Sequence, residues 1–197
     1  RAALAGGAAL AGIGGYAALR RPSATVHHTI PDARTLRRGN GAEPQTLDPS
    51  LSVGVQDDYI MADLMMGLTT EDVRARPIPG MATHWTTSSD GLVWTFHLRQ
   101  AQWSDGEPVT AEDFVFAWRR LLDPVLAAPY AYFIYLFKNA APINAGKMPP
   151  TALGARALNA RTLEVTLEHP APYILQMLMH GSTYPQPRHV VMAKGKD

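Results

Sequence analysis

Five carboxylates and two tryptophans fall within residues 101–124, AQWSDGEPVTAEDFVFAWRRLLDP. Carboxylates beside tryptophans suit a glycosidase-like acid/base pair. They also suit a turn that leads into a well-capped helix, and the order of the residues favours this second reading. Asp105-Gly106 supplies a residue tolerant of positive φ, and Pro108 fixes φ on the way out. Thr110 and Asp113 stand at N-cap and N3 spacing, close to a capping box with Asp in place of Glu. Glu112 and Asp113 also sit well against a helix N-terminal dipole. Phe114, Ala117, Trp118, Leu121 and Leu122 then follow at i, i+3, i+4, i+7 and i+8, one amphipathic stripe. Arg119 and Arg120 fall near the C-terminus, and Pro124 stops the helix. Each carboxylate thus has a structural duty, and capping contributes about 1 kcal/mol. A hydrolase built on Asp105, Glu107 or Asp113 would need one of them in a cleft with a shifted pKa.

Other chemistry is poorly supplied. The seven histidines form no HExxH or other close ligand pair, so no metal site and no cofactor are expected. His27-His28 lies in a linker, as a solvated pair or a weak metal site. His97 sits on the strand face opposite Trp94 and Phe96, where a solvent-facing or hydrogen-bonded residue is expected. There is no GxSxG, P-loop or GxGxxG pattern, and GNG at 39–41 is too short to cradle a phosphate. The Met61, Met65 and Met66 run reads as core rather than as an adaptable binding groove. The absence of cysteine removes disulfides, thiolate metal sites, a cysteine nucleophile and a lipid-modified cysteine.

The elements that must position these residues are legible in part. The 197 residues, 46% apolar, suffice for one large domain or parts of two. Residues 1–40 carry six Arg against one Asp; the remainder carries 12 Lys/Arg against 16 Asp/Glu, which argues against a nucleic-acid surface. Ala2–Leu19 is an apolar run of 18 residues between arginines, read as an export signal or an uncleaved anchor. A linker follows to residue 34. TLRRGNG reads as a strand leaving into a loop, and QDDYIMADLMMGL as a helix with Ile60, Met61, Leu64, Met65 and Leu68 on its stripe. ARPIPGMATHW reads as a proline-punctuated connector. Leu92, Trp94, Phe96 and Leu98 give the next strand one apolar face. Residues 155–168 read as a hairpin turning near Asn159-Ala160, with Leu163, Val165 and Leu167 pointing one way. A short helix follows Pro170, with Ile174, Leu175, Leu178 and Met179 on one face.

Several segments together resemble the extracytoplasmic solute-binding proteins of oligopeptide ABC transporters, solute-binding protein family 5. They are RGNGAEPQTLDP (38–49), PGMATHWTTSSDGLVWTFHLR (79–99), residues 101–124, APYAY (128–132), LGARALNARTLEVTLEHPAPY (153–173) and STYPQPR (182–188). WSDGEPVTAEDF is the most specific of them.

The resemblance implies a mixed α/β, periplasmic-binding-protein-like two-lobed Venus-flytrap fold, of which this chain supplies part of the first lobe and an inserted small α+β domain. Residues 1–34 would be export signal or anchor and linker, 35–67 a first-lobe part, 68–172 the inserted domain, and 173–197 the return to the first lobe. A first-lobe part without its other strands is expected to be marginal on its own. The implied function is the extracytoplasmic component of an ABC importer, periplasmic or in the cell envelope and not an enzyme. Its implied partners are short peptides and the permease membrane subunits; it binds no nucleic acid and acts as a monomer. Peptides of many sequences are held through their main chain, as in adding a strand to a sheet. The resemblance places such a contact at Val53, Gly54 and Val55, where Gly54 either lets another backbone approach or is an ordinary loop glycine. It also places Tyr130 at the ligand pocket, with a core aromatic as the alternative. The wider family carries other solutes, including dipeptides, nickel chelates, haem and sugars. A chaperone-like envelope protein is a further alternative.

Overall fold

Asp57 and Asp58 favour a helix start, and α1 runs over Val55–Leu64. It begins one residue earlier than the expected helix and ends four residues sooner. Met65 is extended (φ −131°, ψ 165°), because the following residues are captured by a ladder. The amides of Met81 and Ala82 bond the carbonyls of Gly67 and Leu68 at 2.8 and 3.0 Å. β1 (Thr69–Glu71) and β2 (Pro77–Pro79) then form a two-stranded antiparallel ribbon. The computed structural model describes Arg34 and residues 38–194. The chain divides into Arg1–Arg38 and Gly39–Asp197, and the second unit is the one followed below. The expected leader, the expected linker up to residue 33 with His27-His28, and Thr35–Arg37 of the expected first strand lie outside the described residues; Arg38–Gly41 are not in a strand.

The centre is a four-stranded antiparallel sheet of β3 (Ala82–Thr87), β4 (Val93–Leu98), β5 (Ala155–Asn159) and β6 (Thr162–Thr166), in the order β3-β4-β6-β5. β4 and β6 were legible from alternation: Trp94, Phe96, Leu98, Leu163 and Val165 are all buried. β3 corrects the reading of 75–85 as a connector. It is an edge strand, mostly exposed, so its sequence carries no apolar alternation.

α2 (Ala111–Leu121) packs on this sheet through β5 and β6. Its start has both halves of the Thr110/Asp113 capping box. The whole expected stripe (Phe114, Ala117, Trp118, Leu121, Leu122) is fully buried. Burying each large side chain contributes about 1.5–3 kcal/mol. Trp118 stands edge-on to Phe114 and Phe137, at 5.9 and 4.9 Å. Its Nε1 donates to the carbonyl of Thr183 at 3.0 Å.

Three short helices complete the described chain: α3 (Ala140–Asn144), α4 (Ile174–Met177) and α5 (Arg188–Lys194). On α4 the expected face is partly realised, with Ile174 and Leu178 buried. Single 3-10 turns lie at Ala131–Ile134 and Gly181–Thr183. The stretch from 47 to 66 keeps much apolar surface in the open: Leu47, Leu51, Val53, Val55, Tyr59, Leu64 and Met66 are exposed. Of the methionine run only Met61 is core. Met66 is exposed, and with Met65 it borders a cleft of about 260 Å³ beside Trp103 and Pro185.

Candidate ligand-binding face

The loop before α1 contains two prolines and a glycine and has no ladder of its own, so side chains must fix it. Asp57, fully buried, accepts the amide of Gln45 at 2.8 Å. Arg120 of α2 donates to both oxygens of Asp48, at 2.7 and 2.6 Å, and to Gln186 Oε1 at 3.1 Å. Gln186 Nε2 donates in turn to Ser50 Oγ at 2.8 Å. Ser52 Oγ donates to Asp58 Oδ1 at 3.1 Å. Charge-assisted, forked bonds of this kind set geometry as well as energy. The sequence reading gave Arg120 only a helix-end role, and nothing local marks its partner on a loop 72 residues away.

The loop delivers Val53, Gly54 and Val55. Gly54 is extended (φ −96°, ψ 137°) and forms the N-cap of α1, where its carbonyl accepts the amides of Asp57 and Asp58 at 3.0 and 3.1 Å. Val55 is already the first helical residue, so the three do not make one continuous extended stretch. Val53 and Val55 are 51% and 62% exposed. The amides of Gly54 and Val55 and both main-chain groups of Val53 have no hydrogen bond among the described residues. The atoms nearest to a Cβ placed on Gly54 belong to the far end of the Gln56 side chain.

Tyr130 is half-buried and stands edge-on to Phe133 (5.6 Å) and His180 (5.0 Å). Phe133 stacks on His180 at 4.0 Å. The amide of Ser182 donates to His180 Nδ1 at 3.2 Å, so the imidazole proton sits on Nε2. Burial holds His180 below the usual imidazole range, against the pull of Asp58. Burial, with Asp58 and Glu71 nearby, raises the Tyr184 hydroxyl above the usual phenol range. The Gly181–Thr183 turn packs against both α1 and Ala131–Ile134, the elements that follow the two expected contact stretches. His180 had no signal of its own in the sequence.

Asp105 and Asp113, two of the three carboxylates weighed for a hydrolase, are occupied structurally. Asp113 Oδ2 accepts from the Thr110 amide (2.8 Å), the Thr110 hydroxyl (3.1 Å) and Trp103 Nε1 (3.4 Å). Asp105 Oδ2 lies 2.6 Å from His189 Nε2, which draws its carboxyl below the ordinary range, the opposite of what a general acid needs. Gly106 takes the positive φ of the turn, +91°. A cleft of about 500 Å³ between α2 and α5 is lined by Phe116, Arg119, Leu126 and Met192, and by none of the expected contact residues.

Residues 76–197 match the model of the bacterial extracellular solute-binding proteins, family 5 Middle. The chain belongs to that family. Within family 5, it is 47% identical over 165 residues to the periplasmic oligopeptide-binding protein OppA of Salmonella typhimurium, covering 82% of this chain and 30% of that protein. It is 41% identical to the probable deoxycholate-binding periplasmic protein YgiS of Escherichia coli, covering 82% of this chain and 31% of that one. Haemophilus influenzae OppA, solved in complex with RPPGFSPFR, superposes with a TM-score of 0.76 at 45% identity, over 79% of this chain and 31% of that one. The family fold is thus the mixed α/β, periplasmic-binding-protein-like one, and the chain spans about 30% of the length of the curated relatives it matches. Among the described residues, no helix is long and apolar enough to cross a membrane.

Proposed function

We propose that this chain is part of the extracytoplasmic solute-binding component of an ABC importer that captures short peptides by their main chain and passes them to a membrane permease. The observation that carries the reading is the pinned loop at Val53–Val55, which presents main-chain donors and an acceptor without partners among the described residues. A ligand's backbone satisfies such groups whatever its side chains, which suits a receptor for many sequences. Tyr130 adds an amphipathic wall. Residues 35–67 and 173–197 belong to the first lobe and 68–172 to the inserted domain. The protein works as a monomer, exported to the periplasm or cell envelope, and catalyses no reaction.

The test is calorimetric titration of the full-length gene product with di- to pentapeptides, with bound species identified by mass spectrometry. Saturable binding that is lost when peptide termini or backbone amides are blocked supports the reading. Retention of a steroid, sugar, metal chelate or haem, with no peptide binding, keeps the family and overturns the substrate.

A further inference from the structure

Asn40 is the only asparagine followed by glycine; Asn139, Asn144 and Asn159 each precede alanine. Gly41 has φ +79°, and the amide of Ala42 donates to the carbonyl of Asn40 at 3.0 Å. Such a bond around one central residue at positive φ makes a γ-turn of the rarer hand, a conformation open to glycine. Gly41 is exposed, and a Cβ placed on it would have nothing within 4 Å. Its amide has no acceptor among the described residues. The turn thus offers an unhindered, unbonded main-chain nitrogen directly after an asparagine.

The side chain of Asn40 spans the same turn. Its Nδ2 donates to the carbonyl of Ala42 at 3.1 Å and to the carbonyl of Gln56 at 3.1 Å. Both protons of the primary amide are therefore in use. The first bond lays the side chain forward along its own main chain, past the Gly41 peptide. The second ties this stretch to the first turn of α1, beside Val55.

We infer that Asn40-Gly41 is a site of spontaneous modification, at which Asn40 converts through a succinimide to aspartate and isoaspartate, and that the conversion releases residues 38–42 from α1. The Gly41 amide nitrogen gives up its proton and attacks Asn40 Cγ. The N–Cγ bond forms as Cγ–Nδ2 breaks, and Nδ2 leaves with an added proton as ammonia. Water then opens the imide at either carbonyl. One opening leaves an ordinary aspartate; the other leaves isoaspartate, with the main chain rerouted through the side chain. One water is consumed, one ammonia is released, and nothing is oxidised or reduced. Either product sets a carboxylate, which has no proton to donate, against the carbonyls of Ala42 and Gln56, so both bonds are lost. The other three asparagines are worse placed. The Cβ of the following alanine crowds the attack, and the amides of Ala140 and Ala145 already bond the carbonyls of Phe137 and Ala141, each at 3.0 Å. The inference does not depend on the peptide reading.

Full-length protein is aged, folded, in mildly alkaline buffer made with heavy-oxygen water, then digested and mapped by mass spectrometry. Heavy oxygen marks each carboxylate formed during ageing, and enzymatic methylation specific for isoaspartate reads the rerouted product. Label and isoaspartate are expected at position 40, with Asn139, Asn144 and Asn159 intact over the same time. Asn40→Gln, whose longer side chain closes the ring poorly, should take up no label there. Asn40→Asp should copy the released state, with faster amide exchange at Asp57 and Asp58 than in the parent. The aged parent should move toward that rate, and aged Asn40→Gln should not. Circular dichroism confirms that the aged protein stays folded. Absence of label at position 40, equal labelling at the other three asparagines, or labelling only after denaturant unfolds the protein overturns the site. Unchanged exchange in Asn40→Asp overturns the release.

Discussion

Arg120 grips Asp48 with both prongs of its guanidinium, Nη1 to Oδ1 at 2.7 Å and Nη2 to Oδ2 at 2.6 Å, and so ties the C-terminal end of α2 to the loop before α1. Both side chains are mostly shielded, at 15% and 25% exposure. Removing the guanidinium strands Asp48 and Gln186 Oε1 together. Arg120→Ala is expected to lower unfolding free energy by about 2 kcal/mol in urea titration. Arg120→Lys should recover only part of this, because a single ammonium cannot reproduce the fork.

The capping box makes a second, local prediction. Thr110→Ala should cost about 1 kcal/mol. Asp113→Ala should cost more, because it also frees the Thr110 amide and Trp103 Nε1. Denaturant unfolding of the two variants side by side tests the order.

Trp118 is fully buried and its indole N–H has one partner, the Thr183 carbonyl. Trp118→Phe keeps most of the apolar volume and leaves that carbonyl unpaired. A loss of about 2 kcal/mol is expected, with part of it from the smaller ring. Thermal unfolding followed by circular dichroism measures it.

The Asp105–His189 pair makes α5 sensitive to pH. His189 is held above its ordinary value of 6.5 by its bond to Asp105, with Glu107 and Asp113 adding to the effect. Its contribution is therefore complete below about pH 6.5 and fades as pH rises through the raised value. Asp105 is held below 3.8, so its contribution is complete above that value and is lost as pH falls through the lowered one. The tie between α5 and the 103–107 turn is thus fullest in mildly acidic solution. Amide exchange across Arg188–Lys194, corrected for intrinsic rates, should show protection falling as pH rises through neutrality. Asp105→Asn should flatten that dependence.

Tyr130→Ala should weaken peptide binding in the full-length protein by about threefold to tenfold, the worth of one aromatic contact, whereas Tyr130→Phe retains most of it. Calorimetry with a peptide retained by the parent reads the difference. Equal affinity in the alanine variant would leave Tyr130 as a packing residue against Phe133 and His180.

Much of this was open to a reader of the sequence where structure is local. α2 carries its own cap, stripe and stop, and β4 and β6 carry their alternation, so period and punctuation sufficed. β3 was hidden because an edge strand with both faces mostly exposed has no period to read. The end of α1 was misplaced because pairing of Gly67 and Leu68 overrode a helical pattern. His84 stacks on His97 across β3 and β4 only through a one-residue bulge that no composition rule marks. Val53–Val55 and Tyr130 came from family resemblance alone, and the bonds that hold their surroundings join residues too distant in sequence to be paired by eye.

Gln186 bonds Ser50 across 136 residues, and Arg120 reaches both Asp48 and Gln186. A polypeptide emerges from its N-terminus onward. Ser50 and Asp48 therefore wait, first for Arg120 and then for Gln186, before the loop they bracket is locked. The order of synthesis therefore sets a limit: the residues of the sheet and α2 are all made before Gln186, and the Gln186–Ser50 bond cannot close until that last stretch exists.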